Sequence, residues 1–281
     1  MDDFLIPFDE QLLRSVSPAA LDGHKPGLEL VMGTTTFAKD AATGVTLKIL
    51  ASHEGYLETT ATLKHTPSDD ERPAAIDVIV DNSSRIGALA SYLTDPEFLD
   101  VGGQETAPIQ LCAAHLEEGG TRLDAWVWTL EEQPQWLYSR EYRPPITIEQ
   151  RAAEEYARSR HRAQEAIRNN DTEYLAARVH GIHYLETVEP IKQLKRTGQR
   201  EAALKLSYVA IESAERQPDN HGFHPAPWYT MQAAIIHRRL KQRDQEIAVL
   251  ERWLARGPED RSSEIYQRWA KLTGHTTPPR R

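Results

Sequence analysis

A proline pair near the middle of the 281-residue chain does most to constrain how the chain can fold. The segment Arg143–Gln150 begins with Arg-Pro-Pro, and two consecutive prolines interrupt both helices and central strands. Thr147 and Gln150 follow at the spacing of a capping box, which predicts a helix start. Hydrophobic residues recur with a period of two before this segment and with the helical period after it. The sequence therefore predicts an N-terminal segment at 1–27, a β-domain at 28–143, a linker at 144–148, a helical domain at 149–275 and a tail at 276–281.

Charge is divided unevenly between the two halves. Residues 1–145 contain 10 Lys plus Arg and 24 Asp plus Glu, a net charge of −14, whereas residues 146–281 have a net charge of +5. An acidic domain repels phosphate backbones, so the second half is electrostatically better suited to nucleic acid or to acidic partners. No apolar run approaches the roughly 18 residues that a membrane span needs, and the single Cys112 excludes an internal disulfide framework. We therefore expect a cytoplasmic protein without a membrane segment.

The first domain has the pattern of a small antiparallel β-barrel or sheet crossed by one helix, which gives an α+β fold class for the whole chain. In the third of its expected strands, Ile76 and Val78 share the buried face, and Asp77 and Asp81 are expected to face solvent. Gly119 and Gly120 are expected to form a tight hairpin turn between the last two strands. The expected strands are 45–50, 56–64, 75–81, 109–116 and 122–130, and the expected helix is 89–98.

Three segments of this domain, 63–69, 73–80 and 85–89, resemble the HIRAN family, and the resemblance extends over about 28–130. HIRAN domains are small OB-like β-barrels, and some bind the 3′ end of single-stranded DNA. The resemblance implies a DNA-end site at Ser68, Asp69 and Gly87, in which Asp69 holds the terminal hydroxyl group. Ser68 stands where the family has a tyrosine that stacks on a base. We therefore expect weak DNA-end recognition, and otherwise a barrel that serves as a scaffold.

The second domain shows a weak helical repeat. The segments Glu201–Leu204 and Glu246–Val249 correspond at a spacing of 45 residues, and removing the 11-residue loop Gln217–Pro227 leaves 34, the tetratricopeptide period. The region 184–256 resembles tetratricopeptide repeats, which implies a groove for a peptide or protein segment and no catalytic machinery. The expected helices are 149–168, one capped by Asp171 or Thr172, 184–195, 201–215, 228–240, 246–254 and 262–273.

Basic residues cluster at the ends of two helices in this repeat. One interpretation is that they complement the negative C-terminal ends of the helix dipoles. The other is a shared ridge for phosphate or for an acidic partner segment. Trp228 and Tyr229 are expected in the core, although the neighbouring proline-rich loop could place them at a groove edge. The candidate partner-binding residues are thus Lys192, Lys195, Arg196, Trp228, Tyr229, Arg238 and Arg239.

Motifs for enzymatic chemistry are lacking in the sequence. The most suggestive residues are two His-x-x-His pairs, His180 with His183 on an expected helix and His221 with His224 in a loop, and these are weak candidates for a metal site. We expect no catalytic residues, metal or other cofactor. The sequence favours a non-enzymatic protein that binds a protein or peptide through its helical domain, with DNA-end binding by the β-domain as the alternative. The oppositely charged domains are expected to pack together, within one chain or in a dimer.

Overall fold

The computed structural model describes residues 7–22, 25–52, 55–70, 73–81, 83–94, 98–116, 119–217, 225–256 and 260–275. Its contacts divide the chain into two compact units. The first is residues 10–154, and the second is residues 155–281 together with residues 1–9. The division falls inside one long helix, after Glu154.

The first unit is built on a curled, six-stranded antiparallel sheet in the order β1-β6-β5-β2-β3-β4. Ile76, Ile109 and Val127 are fully buried on its inner face, because alternate residues of each strand point into the same core. Four of the expected strands are confirmed to within a few residues. The strands are β1 Leu28–Leu30, β2 Tyr56–Thr66, β3 Ala75–Val80, β4 Ser84–Ala88, β5 Gln104–His115 and β6 Thr121–Trp128.

The two edges of the sheet approach each other through one bridge. The Met32 amide donates to the Ala88 carbonyl at 2.7 Å, and the Ala88 amide donates back at 2.9 Å. Gly87 makes this approach feasible, since a Cβ atom there would lie 2.3 Å from the Met32 carbonyl oxygen. The sheet therefore curls into a half-barrel.

The strand expected at 45–50 is wrong, because these residues belong to a helix. Helix α3, Lys39–Ala51, follows the short helices α1, Glu10–Arg14, and α2, Pro18–Leu21. Its buried residues are Ala42, Val45, Thr46 and Ile49, the i, i+3, i+4, i+7 pattern of a helix that covers a core with one face. The β-branched residues Val45, Thr46 and Ile49 suggested a strand, but they lie on the buried face of α3. The Thr46 hydroxyl donates to the Ala42 carbonyl at 2.7 Å, so this buried hydroxyl group has a hydrogen-bond partner.

The helix expected at 89–98 is also not found as such. A single 3-10 turn covers Ser91–Thr94, and residues 95–97 lie outside the described part. The helix that packs on the sheet is α3 instead. The antiparallel pairing of β5 with β6 is confirmed. Their connection is wider than the expected turn at Gly119 and Gly120, because the Leu116 amide donates to the Gly120 carbonyl at 2.8 Å; Gly119 lies at a φ of +79°.

Asp77 does not face solvent as the alternation suggested. It lies on the face opposite Ile76 and Val78, but it is only 5% exposed. The Arg85 Nε atom donates to its carboxylate at 2.7 Å, and the Thr66 hydroxyl donates to the other oxygen at 2.9 Å. Neighbouring strands therefore bury and neutralise this carboxylate.

The second unit is helical, and its core joins Ile191, Ala210, Ile236 and Leu250 with the fully buried Trp269. Consecutive helices from α6 to α10 contact each other, as expected for short connections. Ser263 caps α10 by accepting from the Tyr266 amide. The helices are α4 Ile148–Arg168, which begins in the first unit, α5 Thr172–Ala177, α6 Val188–Arg196, α7 Arg200–Arg216, α8 Pro227–Arg239, α9 Arg243–Leu254 and α10 Glu264–Thr273.

The expected helix starts after the proline pair and at Asp171 are confirmed. The Gln150 amide donates to the Thr147 hydroxyl at 3.2 Å, and the Gln150 side-chain oxygen accepts from the Thr147 amide at 3.0 Å. Both halves of the capping box are therefore formed. The Asp171 side chain accepts from the Tyr174 amide at 3.0 Å, which caps α5.

The helix expected over 184–195 is shorter than the sequence suggested. A 3-10 turn, Tyr184–Glu186, precedes α6, which begins only at Val188. His183 caps this turn: its Nδ1 accepts from the Leu185 amide, while the Glu186 carboxylate accepts from the His183 amide. Pro190 lies in the first turn of α6, where its missing amide hydrogen is not needed.

Candidate functional site

The residues expected to bind a DNA end lie in two different settings. Ser68 and Asp69 lie in an exposed segment without regular structure after β2. Gly87 lies within β4, where the close approach of the Met32 backbone accounts for the absence of a side chain. A structural requirement therefore explains the one glycine of this set.

Two exposed aromatic side chains that the sequence did not indicate, Phe37 and Tyr92, lie on the β unit. The Arg85 guanidinium lies 4.8 Å from the centre of the Phe37 ring, and Phe37 is 59% exposed. The buried carboxylate of Asp77 holds Arg85 at 2.7 Å and so fixes the orientation of its guanidinium group. Tyr92, 66% exposed, donates its hydroxyl to Glu29 at 2.6 Å. Phe37 precedes α3 and Arg85 follows β3, so no local motif connects them.

Lys195 and Arg239 form the most unusual electrostatic arrangement of the helical unit. Each lies in the last turn of its helix, Lys195 in α6 and Arg239 in α8. The Lys195 ammonium donates to the Gln232 side-chain oxygen. Burial lowers the pKa of Lys195, and the positive charge of Arg239 lowers it further. The structure therefore brings together two of the candidate cations.

No carboxylate of the described residues neutralises this pair. Neither Lys195 nor Arg239 forms an ion pair in the part of the chain that the structure describes. Each cation at a helix end is stabilised by the helix dipole, but two adjacent cations also repel each other. Partial desolvation and repulsion both disfavour the charged form, so this position is electrostatically unfavourable in the free protein.

The other two cations of α6 differ from Lys195. Lys192 donates to the Glu189 carboxylate at 2.5 Å, and Arg196 lies 3.9 Å from the same carboxylate. Glu189 lies in the first turn of α6, so these contacts are internal to one helix. Arg238, next to Arg239, is exposed. Arg239 is exposed as well, but it differs from Arg238 in lowering the pKa of the half-buried Lys195. Gln232 is a neighbour of Lys195 that the sequence did not suggest.

The aromatic candidates on α8 separate into a core residue and a half-buried one. Tyr229 is 3% exposed, and its hydroxyl donates to the Tyr184 carbonyl at 2.9 Å. Trp228 is half-buried and contacts the Tyr229 ring edge-on, with 5.0 Å between the ring centres. Trp228, Gln232 and Arg239 follow spacings of four and seven residues, so they lie along one face of α8. The same face of α8 therefore carries the apolar Trp228, the cation Arg239 and, between them, Gln232, which accepts a hydrogen bond from Lys195.

Of the two histidine pairs, the structure describes only His180 and His183. His180 lies in an exposed turn at a φ of +51° rather than on a helix. His183 is buried and stacks on Tyr174, with 3.8 Å between the ring centres, and burial lowers its pKa to about 4. His221 and His224 lie outside the described residues. Among the residues that the structure describes, no group of three or more His, Cys, Asp or Glu side chains could hold a metal ion.

Two further features bear on function. Burial raises the pKa of the Cys112 thiol well above its ordinary value, so this cysteine is not an activated nucleophile. Within the described ranges, none of the helices combines the length and the apolar character needed to cross a bilayer.

Comparison of the chain with family models, with curated proteins and with solved structures gave no match.

Proposed function

We propose that the chain is a non-enzymatic interaction protein whose helical unit binds an acidic segment of a partner protein. The observation that carries the proposal is the half-buried Lys195 ammonium beside the exposed Arg239, neither of which forms an ion pair among the described residues. A carboxylate from a partner would replace their mutual repulsion with two attractive interactions. Charge-assisted hydrogen bonds of this kind contribute more than neutral ones, and partial burial reduces their screening.

The face of α8 supports a segment that is both acidic and apolar. The half-buried Trp228 lies on the same face as Gln232 and Arg239. Half-buried tryptophans are common anchors at protein interfaces, because they offer a large apolar area and one hydrogen-bond donor. The Gln232 amide group supplies a further donor beside the cations. An extended segment with an acidic residue and a neighbouring apolar residue fits these groups.

A peptide-display selection with the full-length protein tests this function. We expect 12-residue peptides enriched in Asp and Glu, and fluorescence anisotropy should show that the selected peptides bind less tightly as salt increases. Lys195→Glu and Arg239→Glu should each weaken binding at least tenfold. Lys271→Glu, which changes an exposed cation at the end of α10, is the matched control and should change affinity less than twofold.

Selection of peptides without acidic enrichment would contradict the proposal. So would equal losses in Lys271→Glu and Lys195→Glu, since a surface that responds only to net charge has no defined site. Thermal melts of all three variants separate a loss of binding from a loss of folding.

A second candidate function is binding of single-stranded nucleic acid by the β unit. The specific observation that favours it is the exposed Phe37 ring with Arg85 held against it by Asp77. Base stacking on an exposed aromatic side chain contributes about 1–3 kcal/mol per base. The net charge of −14 over residues 1–145 opposes such binding.

Fluorescence anisotropy with single-stranded DNA distinguishes the two functions. Because of the negative charge, we expect little or no binding, and no difference between free and phosphorylated 3′ ends. Sub-micromolar binding that is lost in Phe37→Ala would establish the second function at the Phe37 ring. Binding that is lost in Asp69→Ala and on 3′ blocking would establish instead the DNA-end site expected from the sequence.

A further inference from the structure

A cleft in the first unit has no role in either function above. It lies between the segment that ends α1, the chain at 140–145 and the first two turns of α4, and it has a volume of about 270 Å³. Leu12, Val16, Pro144 and Pro145 supply apolar walls. A cavity of this size takes a small organic molecule rather than a protein segment, since typical ligand pockets begin near 300 Å³.

Hydrogen-bond donors that have no partner among the described residues line the same cleft. Arg140 and Arg143 have exposed side chains, and neither forms an ion pair or hydrogen bond within the described ranges. The Gln150 side-chain oxygen accepts from the Ile146 amide at 2.9 Å and from the Thr147 amide at 3.0 Å. The capping box therefore fixes the Gln150 amide group, and its NH₂ has no acceptor among the described residues.

The acidic residues of the cleft limit the charge of a ligand. Glu154 is 4% exposed, and its carboxylate accepts from the Tyr138 hydroxyl at 2.9 Å. Glu141 is exposed at the cleft, so two carboxylates balance the two guanidinium groups. A polyanion therefore gains no net attraction. A single negative charge beside the arginines is favoured, and the positive N-terminal end of the α4 dipole adds to this preference.

We propose that this cleft binds a small organic monocarboxylate. Its carboxylate lies between Arg140, Arg143 and the Gln150 NH₂ group, and its short hydrocarbon part packs on Leu12, Val16 and the proline pair. Arginine is suited to this role because its planar guanidinium group matches a carboxylate with two parallel hydrogen bonds. The site is separate from Lys195 and Arg239, so it stands or falls independently of the proposed protein-binding function.

Isothermal titration of the full-length protein with acetate, butyrate and hexanoate is the first test. Affinity should increase about fourfold for each methylene that enters the apolar part of the cleft. Hexanol and hexylamine lack the carboxylate and should bind at least tenfold more weakly than hexanoate. Pyrophosphate should not compete with hexanoate, because the lining is neutral overall.

Three variants test the assigned residues. Arg143→Ala should weaken hexanoate binding at least tenfold, and Arg140→Ala should do the same. Gln150→Glu keeps the oxygen that caps α4 but replaces the NH₂ donor with a negative charge, so it should abolish binding while α4 stays folded. Arg162→Ala, an exposed arginine farther along α4, is the matched control and should leave affinity unchanged.

The proposal is overturned by any of three results. The first is no saturable hexanoate binding up to about 10 mM, which is weaker than a formed site of this size gives. The second is an affinity that does not depend on chain length. The third is unchanged binding in Gln150→Glu with a native circular dichroism spectrum, since that variant retains the fold and removes the donor.

Discussion

Gly87 and Gly44 show how differently two glycines of one unit constrain the fold. A Cβ atom at Gly87 would lie 2.3 Å from the Met32 carbonyl and 2.6 Å from a Val31 methyl group. Backbone cannot move away here without breaking the bridge between Met32 and Ala88. Gly44 lies inside α3, and a Cβ atom there would meet nothing within 4 Å. In this unit, the close approach of two backbone segments therefore determines which residue a position can hold, as much as side-chain packing does.

The first prediction follows from this contrast. Gly87→Ala should lower the free energy of unfolding by about 1–3 kcal/mol, because the added methyl group overpacks the closure of the sheet. Gly44→Ala should raise it by about 0.5–1 kcal/mol, because alanine loses less backbone entropy than glycine in a helix. Urea unfolding followed by circular dichroism measures both. A Gly87→Ala variant as stable as the native protein would show that the bridge is not needed.

At the scale of elements, the sequence predicted the type and position of a helix or strand best where the periodic segment was long or a capping residue was present. The capping box at Thr147 and the cap at Asp171 depend on local chemistry, so both helix starts were found. The segment 45–50 was assigned as a strand because it is rich in β-branched residues. Over only six positions, its apolar residues fit both the strand period of two and the helical period of about 3.6. Only the sheet that α3 covers decides between them.

The candidate sites were less predictable than the elements. Lys195 and Arg239 were recognisable as helix-end cations, and the pairing of Lys192 with Glu189 follows from their i, i+3 spacing within α6. The approach of Gln232 to Lys195 depends on how α6 and α8 pack. The cleft near Pro144 joins residues from 12–16, 140–145 and 150–154, so tertiary structure alone brings its donors together. The segment 180–187 was expected to be partly helical, yet the His183 cap replaces the first helical turn.

The second prediction concerns how α10 is held. The Arg268 guanidinium contacts the Glu246 carboxylate of α9 at 2.6 Å, and Glu246 is 3% exposed. Arg268→Ala leaves this carboxylate buried without its partner, so it should destabilise the helical unit by about 3–5 kcal/mol. The double variant Glu246→Gln with Arg268→Ala should recover part of the loss, because a neutral amide costs less to bury. Urea unfolding of the single and double variants gives this comparison, and an additive double variant would argue against the ion pair.

At the scale of the whole molecule, the boundary between the two compact units does not fall at the proline pair. The Arg151 guanidinium, on α4, makes two hydrogen bonds to the β6 residue Asp124, at 2.7 and 2.8 Å. Glu154 on the same helix accepts from Tyr138 at 2.9 Å. The start of α4 thus belongs to the first unit, although it follows the expected linker. The prediction from the sequence that the oppositely charged halves pack together, oriented by charge and stabilised by apolar burial, stays a prediction.

The third prediction follows from these contacts. A protease site inserted between Arg143 and Pro144 allows the native protein to be cut after folding. Cleavage should lower the melting temperature of the helical part, because α4 then keeps its β-sheet partners only through noncovalent association. Differential scanning calorimetry before and after cleavage, at low and high salt, measures the change. An unchanged melting profile after cleavage and separation of the fragments would show that the two halves are independent.

The protein-binding proposal depends most on the state of Lys195. In the free protein its pKa should lie below that of an ordinary lysine, because burial and Arg239 both disfavour the charged form. A lysine with a lowered folded pKa destabilises the fold when it is charged at neutral pH, and this destabilisation decreases as the pH rises from that pKa towards the ordinary lysine value. Lys195→Met should therefore cost little stability, although it removes the partner site.

Nuclear magnetic resonance of the lysine side chains, followed through a pH titration, tests the central claim most directly. The account predicts a lowered pKa for Lys195 in the free protein, a rise towards the ordinary value in Arg239→Ala, and a further rise when a selected acidic peptide is bound. The exposed Lys271 should show no change in any of these states. An ordinary Lys195 pKa that neither Arg239→Ala nor the peptide alters would contradict the account.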